Sequence, residues 1–116
     1  MKIALEQAAQ MVADAQTVIL TSHIRPDGDS VGSTLGLMHY LREQGKDARV
    51  LIDDEIPRTF RVLPGVEQIE RPAEGMRYTA DLLIVCDVEL KRTGSVLDAV
   101  DAVRVLNIDH HVTNDE

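Results

Sequence analysis

Four short apolar runs alternate with stretches of helical periodicity along the chain, and this alternation limits the folds open to it. The runs comprise residues 17–21, 48–52, 81–87 and 103–108. Their aliphatic and β-branched side chains favour strands, and the nearly continuous apolar run 81–87 is typical of a strand covered on both faces. Strands that alternate with helices predict an α/β fold with a doubly wound, mostly parallel sheet and helices on both faces.

Three segments outside the apolar runs carry helical signals. Apolar residues recur at helical spacing over residues 1–15, and residues 95–100 predict a short third helix. The second helix is predicted to begin at the capping residue Ser30 and to end at Gly45. One of its faces carries Val31, Leu35, Met38 and Leu41. Prolines and glycines interrupt the pattern before the third strand, where residues 58–63 predict one or two helical turns.

The length and the cysteine content restrict the domain organisation and the compartment. With 116 residues, the chain has material for one ordinary domain. The single cysteine, Cys86, excludes an intramolecular disulfide and a cysteine-cluster zinc site, which suits a reducing compartment. Cys86 itself is expected to be a buried structural thiol. The amino-terminal residues lack the apolar segment of a secretory signal, so we expect a cytoplasmic protein.

The balance of charge limits the partners. The chain has 20 Asp and Glu residues against 12 Lys and Arg, and its formal net charge of −8 repels phosphate backbones. We therefore expect no binding to duplex nucleic acid. We also expect no membrane insertion, because no apolar run has the roughly 18–20 residues that span a bilayer. Nucleotide binding would need local cations or a metal. The oligomeric state stays open, with a homodimer as one option.

Residues of the kinds that bind metals follow three of the four predicted strands. They are His23, Asp27 and Asp29 after the first strand, Asp87 at the end of the third, and Asp109, His110 and His111 after the fourth. The carboxyl ends of parallel strands lie at one edge of the sheet, where the ligand crevice of open α/β folds forms. Carboxylates gathered there would repel one another and take up protons unless cations intervened. The sequence therefore predicts a metal centre.

The types of these residues indicate which metal and which chemistry. Histidine and aspartate without cysteine suit Mn²⁺ first, with Fe²⁺, Co²⁺ and Zn²⁺ as competitors. A carboxylate can bridge two ions about 3.5–4 Å apart, and Asp87 stands between the two histidine-containing loops. Two ions polarise a phosphoryl group and deprotonate a bridging water. This chemistry is the hydrolysis of phosphoesters.

Three sequence motifs resemble a known family. They are Ser-His-Ile-Arg-Pro-Asp-Gly-Asp-Ser-Val-Gly-Ser (22–33), Leu-Leu-Ile-Val-Cys-Asp (82–87) and Asn-Ile-Asp-His-His-Val-Thr-Asn (107–114). In this order they resemble the first three motifs of the DHH phosphoesterase superfamily, most of all its nanoRNase A branch of bacterial oligoribonucleases and 3′-phosphoadenosine-5′-phosphate phosphatases. The resemblance implies a Rossmann-like catalytic domain, two Mn²⁺ ions, and short RNA oligonucleotides or nucleotide phosphates as substrates.

The resemblance also implies a role for each motif residue. Two Mn²⁺ sites would share Asp87 as a bridge. Of the remaining metal ligands, one site would take His23 and Asp27, and the other Asp29 and His110. Asp109 would orient a ligating imidazole. His111 would approach the substrate phosphate as a hydrogen-bond donor or as an acid to the leaving oxygen.

The sequence departs from the family pattern because it stops at Glu116. Family members continue to a fourth motif with a further metal-binding aspartate, and then to a smaller domain that grips the nucleotide. We therefore expect residues 1–116 to be a DHH catalytic domain truncated before both. On this expectation, the chain alone lacks a ligand for the second metal and most of the wall that binds substrate.

Other functions fit parts of the sequence. A phospho-accepting receiver module also has about this length and an acidic pocket, with an aspartate such as Asp87 at a strand end. Its chemistry needs a lysine at the end of the last strand, where residues 109–111 read Asp-His-His, and it leaves His23 without a role. A dinucleotide-binding loop is disfavoured by the glycine spacing. A metal-binding fragment without turnover is a third alternative.

Overall fold

Helices and strands alternate through the residues that the structure describes. The structure is a computed structural model that describes residues 5–22, 28–86 and 96–108. The helices are α1 (Leu5–Asp14), α2 (Gly28–Glu43) and α3 (Val96–Ala99), and the strands are β1 (Thr17–Thr21), β2 (Asp47–Val50), β3 (Tyr78–Cys86) and β4 (Val100–Ile108). Two single-turn 3₁₀ helices, Arg58–Phe60 and Val66–Gln68, lie between β2 and β3. Within these ranges, none of the helices combines the length and apolarity that crossing a bilayer requires.

The four described strands form one sheet in the order β2-β1-β3-β4, and every pairing between them is parallel. In the register, Leu20 of β1 lies opposite Val50 of β2 on one side and Ile84 of β3 on the other. After β2 the chain crosses back over β1 to place β3 on the far side, so the strand order reverses between β1 and β3. The predicted α/β class with a parallel sheet is confirmed.

Two apolar clusters cover the two faces of the sheet. Helix α2 supplies the predicted stripe of Val31, Leu35, Met38 and Leu41 to the first cluster, and every residue of that stripe is at least 97% buried. Helix α1 adds partly buried Met11 and Val12 to the same cluster. The second cluster contains Ile19, Leu83 and Val85 and is joined by Val96 of α3. Helices therefore lie on both faces, as the sequence predicts.

Several boundaries differ from the prediction. Helix α2 begins at Gly28, two residues before the expected cap, so Ser30 lies within the first turn of the helix. Strand β3 begins at Tyr78 and β4 at Val100, each three residues earlier than expected, since their first residues pair with each other. Residues 58–63 contain one 3₁₀ turn. Strand β4 is also more exposed than its apolar sequence predicts, and Val103, for example, is 78% exposed.

Gly45 ends α2 in a left-handed conformation, as predicted. Its φ is +84°, and Lys46 N donates to Leu41 O across 3.1 Å, the six-to-one bond of a Schellman cap. Gly65 has nearly the same φ, +86°, in a tighter environment. A Cβ at Gly65 would lie 2.8 Å from His39 Nε2, which itself lies 3.0 Å from Pro64 O. A side chain at position 65 would therefore meet both an unfavourable backbone conformation and the imidazole of His39, which would have to move.

The paired glycines give a stability prediction with an internal control. Gly45→Ala is expected to cost about 1–2 kcal/mol for the left-handed backbone alone, because no atom lies within 4 Å of its Cβ position. Gly65→Ala is expected to cost more, since the methyl also displaces His39 from its contact with Pro64. Urea denaturation of both variants measures the difference. Equal losses would show that the His39 contact contributes nothing.

Asp81 ties the amino ends of β1 and β3 together. Its Oδ2 accepts hydrogen bonds from Gln16 N at 2.8 Å and from Thr17 N at 3.1 Å, while Asp81 N donates to Thr17 Oγ1 at 2.9 Å. These bonds favour the charged carboxylate, so the bond from Gln16 N and then that from Thr17 N hold the pKa of Asp81 below its ordinary value of 3.8. The Asp81 carboxylate thus takes the place of backbone acceptors for Gln16 N and Thr17 N, at the point where β3 extends past β1.

The lowered pKa of Asp81 fixes the sign of a pH effect. The stabilisation is present above the ordinary pKa of 3.8 and is lost as pH falls through the lower folded value. We expect Asp81→Asn to lower Tm at pH 7 and the gap from the unmodified chain to close below about pH 4. Thermal melts between pH 7 and pH 2.5 test this. If the difference in Tm between the two chains stayed constant with pH, the charge on Asp81 would not be the source of the stabilisation.

Candidate functional site at the carboxyl edge of the sheet

The carboxyl ends of β1, β3 and β4 lie side by side at one edge of the sheet. Thr21 of β1 is opposite Val85 of β3, and Val85 is opposite Asn107 of β4. Cys86 and Ile108 then form the last pair of the β3–β4 ladder. The reversal of strand order between β1 and β3 lies at this edge, and it is where open α/β sheets form their ligand crevice.

The residues at these strand ends are fixed by burial. Thr21 and Ser22 are fully buried, and Cys86 is 3% exposed within the cluster beneath α2, so the predicted buried thiol is confirmed. Helix α2 begins at Gly28 and is held against the sheet by the fully buried Val31. Residues 23–27 are therefore flanked on both sides by elements that pack against the core.

The predicted metal ligands follow these strand ends in the sequence. His23 and Asp27 follow β1, Asp87 follows β3, and Asp109 with its two neighbouring histidines follows β4. Six of the seven predicted site residues lie outside the described residues: His23, Asp27, Asp87, Asp109, His110 and His111. Asp29 is described by its backbone, in the first turn of α2. Their individual roles, and the two-metal arrangement, remain predictions.

The described residues themselves contain no group of three or more His, Cys, Asp or Glu side chains placed to hold a metal ion. They do form a surface pocket of about 470 Å³ that is lined in part by residues 54–56, which follow β2 in the chain. It is lined by Asp54, Glu55, Ile56, Arg61, Val66, Glu67, Ile69, Glu70 and Arg71. The criterion used above for candidate ligands, a polar residue that follows a strand end, also applies to Asp54 and Glu55 after β2.

An open parallel α/β sheet with its crevice between β1 and β3 defines a class of ligand-binding protein, but receiver modules share this strand order. Sequence comparison decides between the phosphoesterase family that the motifs resemble and the receiver module. The DHH family, N-terminal domain, matches residues 17–116. The chain therefore belongs to the DHH family, and the receiver alternative is not supported.

Two relatives and one solved structure illustrate the likeness. The bifunctional oligoribonuclease and PAP phosphatase NrnA of Thermus thermophilus is 38% identical over 97 residues, which are 84% of this chain and 28% of that protein. The cyclic-di-AMP phosphodiesterase GdpP of Bacillus subtilis is 25% identical over 119 residues, 92% of this chain and 18% of that protein. The crystal structure of an exopolyphosphatase-related protein from Bacteroides fragilis superposes with a TM-score of 0.79 at 28% identity, covering 96% of this chain and 35% of that one.

These matches cover most of this chain and a minority of each relative. The chain spans 28% of the length of the Thermus protein and 18% of the Bacillus one. The shared region is the DHH amino-terminal domain, which includes all four described strands. The predicted family and fold are confirmed, while the prediction that residues 1–116 are a truncated catalytic domain is not tested by these matches.

Proposed function

We propose that the protein containing this domain is a metal-dependent phosphoesterase that hydrolyses short oligoribonucleotides or small nucleotide phosphates. Membership of the DHH family across residues 17–116 is the observation that carries the proposal. Relatives that match this stretch are named as an oligoribonuclease and PAP phosphatase and as a cyclic-dinucleotide phosphodiesterase. All of these substrates are phosphoesters of nucleotides.

The arrangement of the sheet supports the proposal. Parallel strands β1, β3 and β4 end level with one another, as the pairs Thr21–Val85 and Cys86–Ile108 show. The sequence then continues from each end into a segment that holds histidine or aspartate. Segments far apart in the chain thus begin at neighbouring strand ends along one edge of the sheet, a prerequisite for a shared ligand.

The donor set fits divalent cations. Among the residues that follow these strand ends, His23, Asp27, Asp29, Asp87 and His110 would hold Mn²⁺. Imidazole and carboxylate without thiolate suit this borderline-hard ion. When bound, the ions would supply neutralisation of phosphoryl charge and activation of water. The net charge of −8 makes such cations necessary for an anionic substrate to approach.

The domain's own residues would prepare this chemistry by positioning and by excluding water. Fully buried Thr21 and Ser22 hold the start of the first motif against the sheet, and Cys86 holds the start of the segment containing Asp87. His111 is proposed to donate a hydrogen bond to the substrate phosphate or a proton to the leaving oxygen. Asp109 is proposed to orient a ligating imidazole.

The test combines metal binding with turnover. Isothermal titration of the 116-residue chain with Mn²⁺ at pH 7.5 is expected to show one or two bound ions. The same preparation is then incubated with the dinucleotide pApA and with 3′-phosphoadenosine 5′-phosphate, and released AMP and phosphate are measured with Mn²⁺, with Mg²⁺ and with EDTA.

The outcomes separate the proposal from its alternatives. Hydrolysis that requires Mn²⁺ supports the phosphoesterase. Metal binding without turnover supports the metal-binding fragment as the description of this chain. A folded chain that neither binds Mn²⁺ nor cleaves either substrate contradicts the proposed function for these residues.

A further inference from the structure

The pocket at the end of β2 has the size and composition of a small-ligand site. Its volume of about 470 Å³ falls within the range of about 300–1,000 Å³ that is usual for such sites. Half-buried Ile56, Val66 and Ile69 supply apolar lining, and exposed Glu55 and Glu67 supply carboxylates. An apolar surface next to hydrogen-bond acceptors is the combination that a flat heteroaromatic ring can use.

The wall of the pocket is braced by the fold. Glu70 N donates to Val50 O, and Ile52 N donates to Glu70 O, both across 2.9 Å, so this segment continues the sheet beyond β2. The guanidinium of Arg42 on α2 donates to the side-chain oxygen of Gln68 and to Ala48 O. A ligand entering the pocket would therefore have little backbone to order, which lowers the cost of binding.

The charges in the pocket select the kind of ligand. Glu70 is already paired with Arg49, with N–O distances of 3.0 and 2.6 Å, and Arg71 is paired with Asp53 at 3.5 Å. The other charged residues of the lining are acidic Asp54, Glu55 and Glu67 and basic Arg61, so carboxylates outnumber the guanidinium. An isolated phosphate would be repelled by this balance, whereas a neutral group with N–H donors would be attracted.

We propose that this pocket is a nucleobase subsite, in which Ile56, Val66 and Ile69 contact the face of the base and the carboxylates of Glu55 and Glu67 accept hydrogen bonds from its exocyclic amino group. The inference rests on the proposed function, because a nucleotide substrate is what would bring a nucleobase to this pocket. Strand β2 is paired directly with β1, and neighbouring strands are about 4.8 Å apart. A nucleotide whose phosphate lies in the crevice can thus place its base beyond β2. Adenine is preferred to uracil, which lacks an amino group.

The test uses free nucleosides, which carry no phosphate. The 116-residue chain is titrated with adenosine and with uridine while the methyl NMR signals of Ile56, Val66 and Ile69 are followed. Adenosine is expected to shift these signals saturably, and uridine more weakly. Glu67→Trp, which fills the pocket from its exposed rim, is expected to weaken adenosine binding by about tenfold or more. Glu74→Trp, at an exposed position outside the pocket, is the matched control and is expected to bind as the unmodified chain does.

Three results would overturn the subsite. They are unshifted methyl signals with adenosine, equal binding by the Glu67→Trp and unmodified chains, and tighter binding of N-acetyl-arginine amide than of adenosine. The last result would assign the pocket to a basic side chain of a protein partner. Circular dichroism confirms that each variant is folded. Because the titration involves neither metal nor ester cleavage, its failure leaves the phosphoesterase proposal standing, and the failure of hydrolysis leaves this titration interpretable.

Discussion

Asp87→Asn is expected to weaken Mn²⁺ binding by more than about 100-fold and to abolish any Mn²⁺-dependent hydrolysis by this chain. Asp87 follows Cys86, the last residue of β3, and β3 lies between β1 and β4 in the sheet. A ligand at that place is the one best positioned to serve both histidine-containing segments. Loss of a residue that only orients a ligand already costs about 10–100-fold in affinity, so loss of a bridging carboxylate should cost more. Isothermal titration measures the change.

The control for this variant is the same substitution at the other edge of the sheet. Asp101→Asn lies near the amino end of β4 and pairs with Arg77, far from the strand ends that form the crevice. It is expected to leave Mn²⁺ affinity unchanged. If Asp87→Asn kept its affinity and activity within tenfold of the unmodified chain, the assignment of Asp87 as the bridge would be wrong.

Leu20→Ala should remove a large part of the stability of the domain. Leu20 is fully buried in the central strand β1, opposite Val50 and Ile84. Truncation of a buried leucine costs about 2–5 kcal/mol, through lost burial and the cavity that remains. Single domains have a free energy of unfolding of only about 5–15 kcal/mol. Urea denaturation monitored by circular dichroism should therefore show a midpoint that moves strongly downward with little change in slope.

Val62→Ala provides the comparison for Leu20→Ala. Val62 is 86% exposed, and truncation there is expected to change the free energy of unfolding by less than about 0.5 kcal/mol. A loss below about 1 kcal/mol for Leu20→Ala would mean that the surrounding cluster collapses into the cavity. It would also mean that β1 is less tightly packed than its burial indicates.

The parts of the fold that the sequence predicted are those where one physical signal dominates. The run Thr17–Thr21 is β-branched and apolar, and the stripe from Val31 to Leu41 has helical spacing, so both elements were predicted correctly. The first residues of β3 were missed because the charged Arg77 precedes Tyr78 and the polar Thr79 follows it, which breaks the apolar run. Their strand conformation depends on pairing with the start of β4, a contact that no local window of sequence contains.

For the site, the confirmed part of the prediction is that three strand ends meet at one edge of the sheet, and the placement of the ligand residues stays a prediction. The alternation of strands and helices is enough to place three carboxyl ends together, and the register of Thr21, Val85 and Asn107 confirms that they meet. The pocket after β2 was missed for two reasons. Its wall depends on the bond between Glu70 N and Val50 O, and the prolines and glycines of that segment hide the extended backbone at Glu70. Non-local hydrogen bonds of this kind leave no periodic trace in the sequence.

The parallel pairing of β1 with β3 has a consequence for how the domain acquires its structure. Thr17 and Asp81, which join the amino ends of these strands, stand 64 positions apart in the chain. Closing so long a loop is entropically unfavourable until the ladder forms, and non-local parallel pairings are slow to nucleate. During synthesis β1 can pair with β2 and pack against α2 first, but its other edge stays unpaired until β3 leaves the ribosome. The two walls of the crevice, β1 and β3, consequently meet late in folding.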